Sequence, residues 1–183
     1  MPRRHTFNFM EIFLNPEKIL DQLELRSNMV AADFGCGAGN FSVPLAKRLE
    51  KGLVYALDVQ TTPLSALKGR CLAENINNIK VMRVDLERPK GSTLQDSFLD
   101  LVLVVNTLFQ SSQKDAIIIE AKRVLKRRGK LVVIDWLPEK ARGMVEGAIA
   151  PAAVKKMVQE AGLKFENEFD AGKFHYCLVF TKI

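Results

Sequence analysis

The chain has 183 residues and carries 27 Lys and Arg against 21 Asp and Glu, which gives a formal net charge of +6. This length predicts one domain, residues 1–183, whose residues 1–28 form an N-terminal arm and helix. A hydrophobic content of 48% excludes a disordered chain, and a core of this size needs neither disulfides nor a metal to fold. The positive charge is compatible with an anionic partner such as nucleic acid, or simply with a well-solvated surface.

No apolar run reaches the roughly 20 residues of a membrane helix, and the first residues lack the apolar stretch of a secretory signal. The three cysteines, Cys36, Cys71 and Cys177, are too widely spaced for a zinc motif and odd in number for a disulfide framework. The sequence therefore predicts a reduced cytoplasmic protein with no membrane span and no bound metal.

Short apolar runs alternate with helix-like segments along the chain. Five of these runs are continuous and rich in Val, Leu and Ile, which is typical of parallel strands covered on both faces. They are Met29–Phe34, Leu53–Leu57, Ile79–Val84, Leu99–Val105 and Leu131–Trp136. Two further strand candidates, Leu163–Glu168 and His175–Thr181, follow each other closely and are expected to pair antiparallel at one edge.

The segments between the strands predict helices, because their apolar residues recur at a spacing of three or four. Thr62 and Pro63 predict a helix N-terminus, and Gly162 predicts a helix stop. Strands that alternate with helices in this way predict an α/β fold with a doubly wound sheet.

In the segment VAADFGCGAGNF an apolar strand passes into a helix. Gly35, Gly37 and Gly39 permit positive φ and let the backbone approach a ligand closely. The dinucleotide-binding pattern GxGxxG would need a further glycine where the chain has Asn, which disfavours a pyrophosphate. Asp33 would likewise repel a phosphate, but it suits a cationic ligand such as S-adenosylmethionine with its sulfonium and α-ammonium groups.

Two more acids end the next two predicted strands. Asp58 follows Gly39 by 19 residues, close to the spacing of about 20 at which a carboxylate bonds ribose hydroxyls. Asp85 ends the third strand, where a carboxylate can accept a hydrogen bond from an adenine amino group. Three carboxylates at the ends of successive strands predict a ligand site at that edge of the sheet.

Taken together, these motifs resemble those of the class I S-adenosylmethionine-dependent methyltransferases. ADFGCGAGNF is similar to the first motif of that family, YALDV to its second, VMRVDLE to its adenine-side motif and RVLKRRGKLVVIDW to its helix–strand motif. The resemblance is strongest to the broad group that includes ubiquinone and menaquinone C-methyltransferases. It implies a Rossmann-like sheet of seven strands in the order 3-2-1-4-5-7-6, with strand 7 antiparallel, and an enzyme that uses S-adenosylmethionine.

The resemblance also implies which residues contact the cofactor. Asp33 and the backbone from Phe34 to Gly37 would hold the methionine portion, Asp58 the ribose, and Asp85 with the Leu86 amide the adenine. The full set of cofactor-binding residues is Asp33, Phe34, Gly35, Cys36, Gly37, Gly39, Asp58, Val59, Gln60, Asp85, Leu86 and Asn106. After Asn106 the chain reads TLFQ and lacks the histidine pair common in this group.

Two residues are candidates for a general base, should the methyl acceptor need to lose a proton. Asp135 ends the fifth predicted strand, although a strand-end acid that bonds a loop amide is the favoured alternative. His5 could fold over the cofactor with the N-terminal arm. The remaining histidine, His175, lies in an alternating strand pattern with Tyr176 and is interpreted as structural. Trp136 could stack on a substrate, but a packing role at the strand end is favoured.

The predicted partner is a small-molecule methyl acceptor, because 183 residues hold the cofactor-binding core and leave little for a substrate domain. Methylation of RNA or protein, or a non-catalytic regulatory role, are the alternatives. Nucleic acid is not favoured because the excess charge lies in one segment, predicted to end a helix on the edge away from the cofactor. This basic cluster consists of Lys122, Arg123, Lys126, Arg127, Arg128 and Lys130.

Overall fold

A computed structural model describes residues 14–183, which form a seven-stranded sheet with helices on both faces. In chain order the strands are β1 Val30–Phe34, β2 Leu53–Asp58, β3 Ile79–Arg83, β4 Leu99–Val105, β5 Leu125–Trp136, β6 Leu163–Asp170 and β7 His175–Lys182. The helices are α1 Pro16–Leu20, α2 Ser42–Arg48, α3 Thr61–Ala73, α4 Lys114–Val124 and α5 Pro151–Glu160, with a 3₁₀ turn at Leu108–Gln110.

The strands lie in the order β3-β2-β1-β4-β5-β7-β6. Strand β7 is antiparallel to both of its neighbours, and the other paired strands are parallel. This confirms the predicted α/β fold, the order of its strands and the antiparallel pairing of the last two. Chain order reverses between β1 and β4, so a crevice for a ligand opens at the carboxyl ends of these two central strands.

Alternate residues of the central strands pack against helices on opposite faces of the sheet. Phe34 of β1 belongs to the apolar cluster that buries α4 and α5, whereas Ala31 belongs to the cluster that buries α1 and α2. Leu67 of α3 packs beside α2 in a third cluster. The central strands are apolar on both faces, as expected where both faces are covered. Within residues 14–183 no helix is long and apolar enough to cross a bilayer.

Two local predictions at helix ends have different outcomes. Gly162 follows the last turn of α5 with φ +87°, which confirms the predicted stop. The N-cap prediction at Thr62 is wrong, because α3 already begins at Thr61 and its N-cap is the extended Gln60, whose side chain makes no capping hydrogen bond.

The basic cluster was expected at the end of a helix, but most of it lies in β5. Helix α4 ends at Val124, and Leu125 is already extended and pairs with β4. A bulge with Arg128 at φ +66° follows before the ladder resumes at Lys130. Nζ of Lys126 lies 2.9 Å from the carboxylate of Asp100, so part of this charge is neutralised locally.

A buried ion pair anchors the loop before β4 to helix α4. Glu120 is 3% exposed, and Arg123 donates two hydrogen bonds to its carboxylate at 2.7 and 2.8 Å. Arg123 also pairs with Asp96, and the amide of Ser92 donates to Glu120 at 3.0 Å. Burial raises the pKa of Glu120, but the bonds from Arg123 and Ser92 outweigh it and the pKa is lowered.

We expect Arg123→Met to lower the free energy of unfolding by about 3–5 kcal/mol, because it leaves the Glu120 carboxylate buried without its cation. Urea denaturation at pH 7 measures the loss. Arg127→Met is the matched control, since Arg127 is exposed in the same segment and its replacement should change stability by less than about 0.5 kcal/mol. Equal losses in the two variants would contradict the assignment.

Candidate functional site

The three glycines of the β1–α2 loop all have positive φ, at +74°, +53° and +81° in chain order. A Cβ atom on Gly35 would lie 2.3 Å from Oγ1 of Thr107, and one on Gly39 would lie 2.3 Å from Cδ1 of Leu67. The first and third glycines therefore allow close packing within the protein. A Cβ on Gly37 would meet nothing within 4 Å, so at this position the backbone is open to a ligand.

Asp33 lies at the carboxyl end of β1, on the face that carries α2. Its carboxylate is 1% exposed and accepts a hydrogen bond of 2.6 Å from the hydroxyl of Ser42. Burial raises the pKa of Asp33 to about 6; the bond from Ser42 opposes this rise, and the nearby charge of Asp58 adds to it. A buried carboxylate held in this way favours a positively charged partner.

The end of β2 holds the glycine loop in place. The amides of Gly35 and Cys36 both donate to the carbonyl of Leu57, at 2.8 and 3.0 Å. The Asp58 carboxylate accepts from the amide of Gly37 at 2.9 Å and, through its other oxygen, from the amide of Gln60 at 2.9 Å. Each carboxylate oxygen retains a further lone pair with which it could accept a ligand hydroxyl.

The predicted adenine-side residues lie farther along the same edge of the sheet. Asp85 follows β3 and pairs with Arg88 at 2.8 Å, and Val59 is 53% exposed beside them. The side chain of Leu86 is buried in the core, which leaves only its backbone available to a ligand. These positions form an open rim beyond the glycine loop.

A cavity of about 1130 Å³ opens on the other side of the glycine loop. Its walls come from the loop, α1, the start of α2 and the ends of β4, β5 and β7. Among the predicted site residues, its lining includes Asp33, Gly35, Cys36, Gly37 and Asn106. The lining does not include Phe34, Gly39, Asp58, Val59, Gln60, Asp85, Leu86 or Asp135. Of the residues outside the lining, Asp58, Val59, Gln60 and Asp85 lie on the open rim. The side chains of Phe34, Leu86 and Asp135 are buried within the protein, and Gly39 packs against Leu67.

Asn106 stands where β4 ends, with φ +49°. Its amide donates to Ile134 at 2.8 Å, and its carbonyl accepts from the side chain of Gln110 at 2.7 Å. The side-chain oxygen Oδ1 is buried and has no hydrogen-bond partner among residues 14–183. Asn106 therefore lines the cavity with a fixed backbone and a side-chain oxygen that no group of residues 14–183 satisfies.

Asp135, the predicted general base, is fully buried at the end of β5. Its carboxylate accepts from the amide of Trp136 at 2.8 Å and from that of Phe109 at 3.2 Å. Burial raises its pKa to about 6, against the effect of these bonds. The geometry favours the alternative in which Asp135 fixes the 3₁₀ turn. The other candidate, His5, lies outside the described residues.

Two residues interpreted as structural from the sequence line the cavity instead. Trp136 ends β5 and His175 begins β7, and the two are paired in the antiparallel ladder. Their rings lie 3.9 Å apart between centroids. Because β7 runs opposite to the other strands, its first residue lies at the edge where they end. The predicted antiparallel direction of β7 indicates this position of His175, whereas the residues around it in the sequence do not.

The residues present fit S-adenosylmethionine in two observable respects. Gly37 offers a bare backbone beside the cavity, and the buried Asp33 supplies negative charge there. Among residues 14–183 no three His, Cys, Asp or Glu side chains are grouped so that they could hold a metal ion. Burial, and then the charge of Asp33, raises the pKa of Cys36, which keeps this thiol neutral.

Comparison with known proteins places this fold among S-adenosylmethionine-dependent methyltransferases. A solved structure of such a methyltransferase from Aquifex aeolicus superimposes with a TM-score of 0.85 at 25% identity, covering 95% of this chain and 92% of that one. Together the fold and the glycine loop define the class I methyltransferases. A family model described as a methyltransferase domain matches residues 25–162, so the chain belongs to this family.

Curated relatives with assigned reactions match a smaller part of the chain. The ubiquinone/menaquinone biosynthesis C-methyltransferase UbiE of Chromobacterium violaceum is 31% identical over 113 residues, which are 61% of this chain and 45% of that protein. The tRNA/tmRNA (uracil-C(5))-methyltransferase of Neisseria meningitidis is 23% identical over 146 residues, which are 75% of this chain and 40% of that protein. The chain spans about half the length of the curated relatives it matches.

We expect Gly37→Ala to weaken binding of S-adenosylhomocysteine at least ten-fold, because the new methyl group occupies the open side of the loop. Its positive φ should also cost about 1–2 kcal/mol of stability. Gly143→Ala is the matched control: Gly143 has φ +79° and equally open surroundings, but it lies outside the cavity lining. Calorimetric titration should show weaker binding in the first variant alone.

We expect affinity for S-adenosylmethionine to rise between pH 5 and 7 and then level off, because the pKa of Asp33 is raised to about 6 and the cation binds its ionised form. Below pH 6 the rise should be at most about ten-fold per unit. The free energy of unfolding changes in the opposite direction. Because the pKa of Asp33 is higher in the folded protein, its contribution to stability falls as pH rises from 3.8 to about 6.

Two substitutions separate Asp33 from the other buried acid that titrates in this range. Asp33→Asn should abolish the pH dependence of binding, whereas Asp135→Asn should leave it, because Asp135 lies outside the cavity lining. Dissociation constants measured at pH 5, 6 and 7 test this. A slope that persists in Asp33→Asn would contradict the assignment.

Proposed function

We propose that this chain transfers a methyl group from S-adenosylmethionine to a small-molecule acceptor. The observation that carries the proposal is the bare backbone of Gly37, which lies between Asp33 in the cavity and the Asp58 carboxylate on the rim. In this proposal Asp33 attracts the cationic methionine portion, Asp58 accepts ribose hydroxyl bonds, and Asp85 with the Leu86 amide binds the adenine edge.

The bound cofactor supplies an electrophilic methyl group on a positively charged sulfur. The residues of this chain hold the cofactor and the acceptor in line, and such orientation can supply much of the acceleration without a dedicated base. The cavity of about 1130 Å³ exceeds the usual range of about 300–1,000 Å³ for a single small ligand, which supports binding of an acceptor beside the cofactor. We assign no general base, since both carboxylate oxygens of Asp135 accept hydrogen bonds from backbone amides.

A polymeric acceptor is the less supported alternative. Its support is the overall charge of +6 and the relative named as a tRNA/tmRNA methyltransferase. Against it, the basic cluster lies at the end of α4 and in the amino-terminal half of β5, away from the strand ends that line the cavity. Lys126 pairs with Asp100 and Lys130 with Glu166, which leaves less charge for an RNA backbone. The proposed cytoplasmic location agrees with three free cysteines.

S-adenosylhomocysteine at 100 times its dissociation constant should stabilise the fold by about 2.7 kcal/mol, or roughly 5–11 °C in melting temperature. Asp58→Ala should remove this shift. Asp170→Ala is the matched control and should retain the full shift. Asp170 also lies at the carboxyl end of a strand, but that strand, β6, is the outermost one on the side of the sheet away from β2. No shift in the wild-type protein at millimolar ligand would refute the proposal.

Incubation of the protein with labelled S-adenosylmethionine and a cell extract then locates the acceptor. Label in the small-molecule fraction is the expected result. Label in RNA or protein would establish the polymeric alternative, and cofactor binding with no labelled product in any fraction would indicate a regulatory protein.

A further inference from the structure

One wall of the cavity carries an unusual concentration of buried polar atoms without partners. Oδ1 of Asn106, Nε1 of Trp136 and both ring nitrogens of His175 make no hydrogen bond to any other group in residues 14–183. All three side chains line the cavity, and His175 is only 2% exposed. Each such atom costs about 1–3 kcal/mol if it stays unsatisfied, so their clustering at a ligand cavity indicates a binding role.

The chemistry of these atoms specifies what they can bind. The indole nitrogen of Trp136 only donates a hydrogen bond, and the amide oxygen of Asn106 only accepts one. Burial lowers the pKa of His175 to about 4, so its imidazole is neutral at pH 7 and has one donating and one accepting nitrogen. A group that both donates and accepts satisfies this mixture, and a hydroxyl is the simplest such group.

Aromatic surface adjoins the same polar atoms. The rings of Trp136 and His175 lie 3.9 Å apart at an angle of 41°, and Phe109 meets Trp136 edge-on at 6.4 Å. Val105 contributes apolar surface to the cavity lining beside Asn106. Such surroundings favour a flat, largely apolar molecule over a charged or flexible one.

We propose that His175, together with Trp136 and Asn106, forms the acceptor subsite and selects a planar ring that carries a hydroxyl group. This subsite rests on the proposed methyltransferase function. His175 binds the hydroxyl, Trp136 contacts the ring, and Asn106 lies between the acceptor and the glycine loop that would hold the cofactor. The subsite forms the part of the cavity wall that the ends of β4 and β5 and the start of β7 supply.

A pair of simple ring compounds tests this selection. p-Cresol and p-xylene are almost equal in size and differ by one hydroxyl group. Trp136 is the only tryptophan in the chain, so its fluorescence reports binding at this wall. With S-adenosylhomocysteine present, p-cresol should bind about ten-fold more tightly than p-xylene, since p-xylene leaves the buried polar atoms unsatisfied.

Substitutions at His175 separate binding from structure. His175→Leu should reduce the preference for p-cresol to less than two-fold without lowering the melting temperature, because it removes a buried unsatisfied imidazole. His175→Gln should keep most of the preference, since its amide also donates and accepts. Tyr176→Phe is the matched control, because it removes a buried, unpartnered hydroxyl from the next residue of β7, outside the cavity lining.

Equal binding of the two rings by the wild-type protein, or an unchanged preference in His175→Leu, would overturn the proposed subsite. A large loss of melting temperature in His175→Leu would also overturn it, because it would mark the imidazole as structural. The shift with S-adenosylhomocysteine is measured separately on each variant. If that shift is present while the ring preference is absent, the subsite fails and the methyltransferase function stands.

Discussion

The amide of Gly37 donates to the carboxylate of Asp58, and this hydrogen bond positions the glycine loop on which the rest of the site depends. Together with the bonds from the amides of Gly35 and Cys36 to the carbonyl of Leu57, this bond attaches the glycine loop to the end of β2 and restricts its conformation. A loop rich in glycine loses much entropy when it is ordered, so it needs such an anchor to present a fixed surface. The attachment holds Gly37 at its positive φ, with the open face of its backbone beside the cavity.

The site divides into two halves that different parts of the sheet supply. The carboxyl ends of β1 and β2 hold the acidic and glycine residues. The carboxyl ends of β4 and β5 supply Asn106 and Trp136, and the start of β7 supplies His175. Asp135 links the second half to the fold, because its buried carboxylate holds the 3₁₀ turn that follows Asn106. In the function proposed above, the first half holds the cofactor and the second half holds the acceptor.

Much of this arrangement could be predicted from the sequence, because continuous apolar runs and strand-end acids are local patterns. Asp33 and Asp58 were found in this way, and the motifs fixed the strand order by resemblance. The position of His175 at the cavity could not be predicted from its neighbours in the sequence, because it depends on β7 running antiparallel between β5 and β6, which no local pattern encodes. The prediction that the basic cluster ends a helix fails for a related reason. Leu125 pairs with Leu99 of β4, and this pairing ends α4 at Val124, earlier than the sequence of the helix alone predicts.

The insertion of β7 inside the sheet also protects the protein against aggregation. Strand β7 reads HYCLVFTK, and its first six residues are buried. Left at an edge, such a strand would offer unpaired backbone and apolar side chains to another chain. The edge is instead β6, which carries Lys164, Glu166 and Glu168 and is interrupted by a bulge after Phe165. The antiparallel direction of β7 thus brings His175 to the cavity, and its place inside the sheet covers this buried strand with the charged and irregular β6.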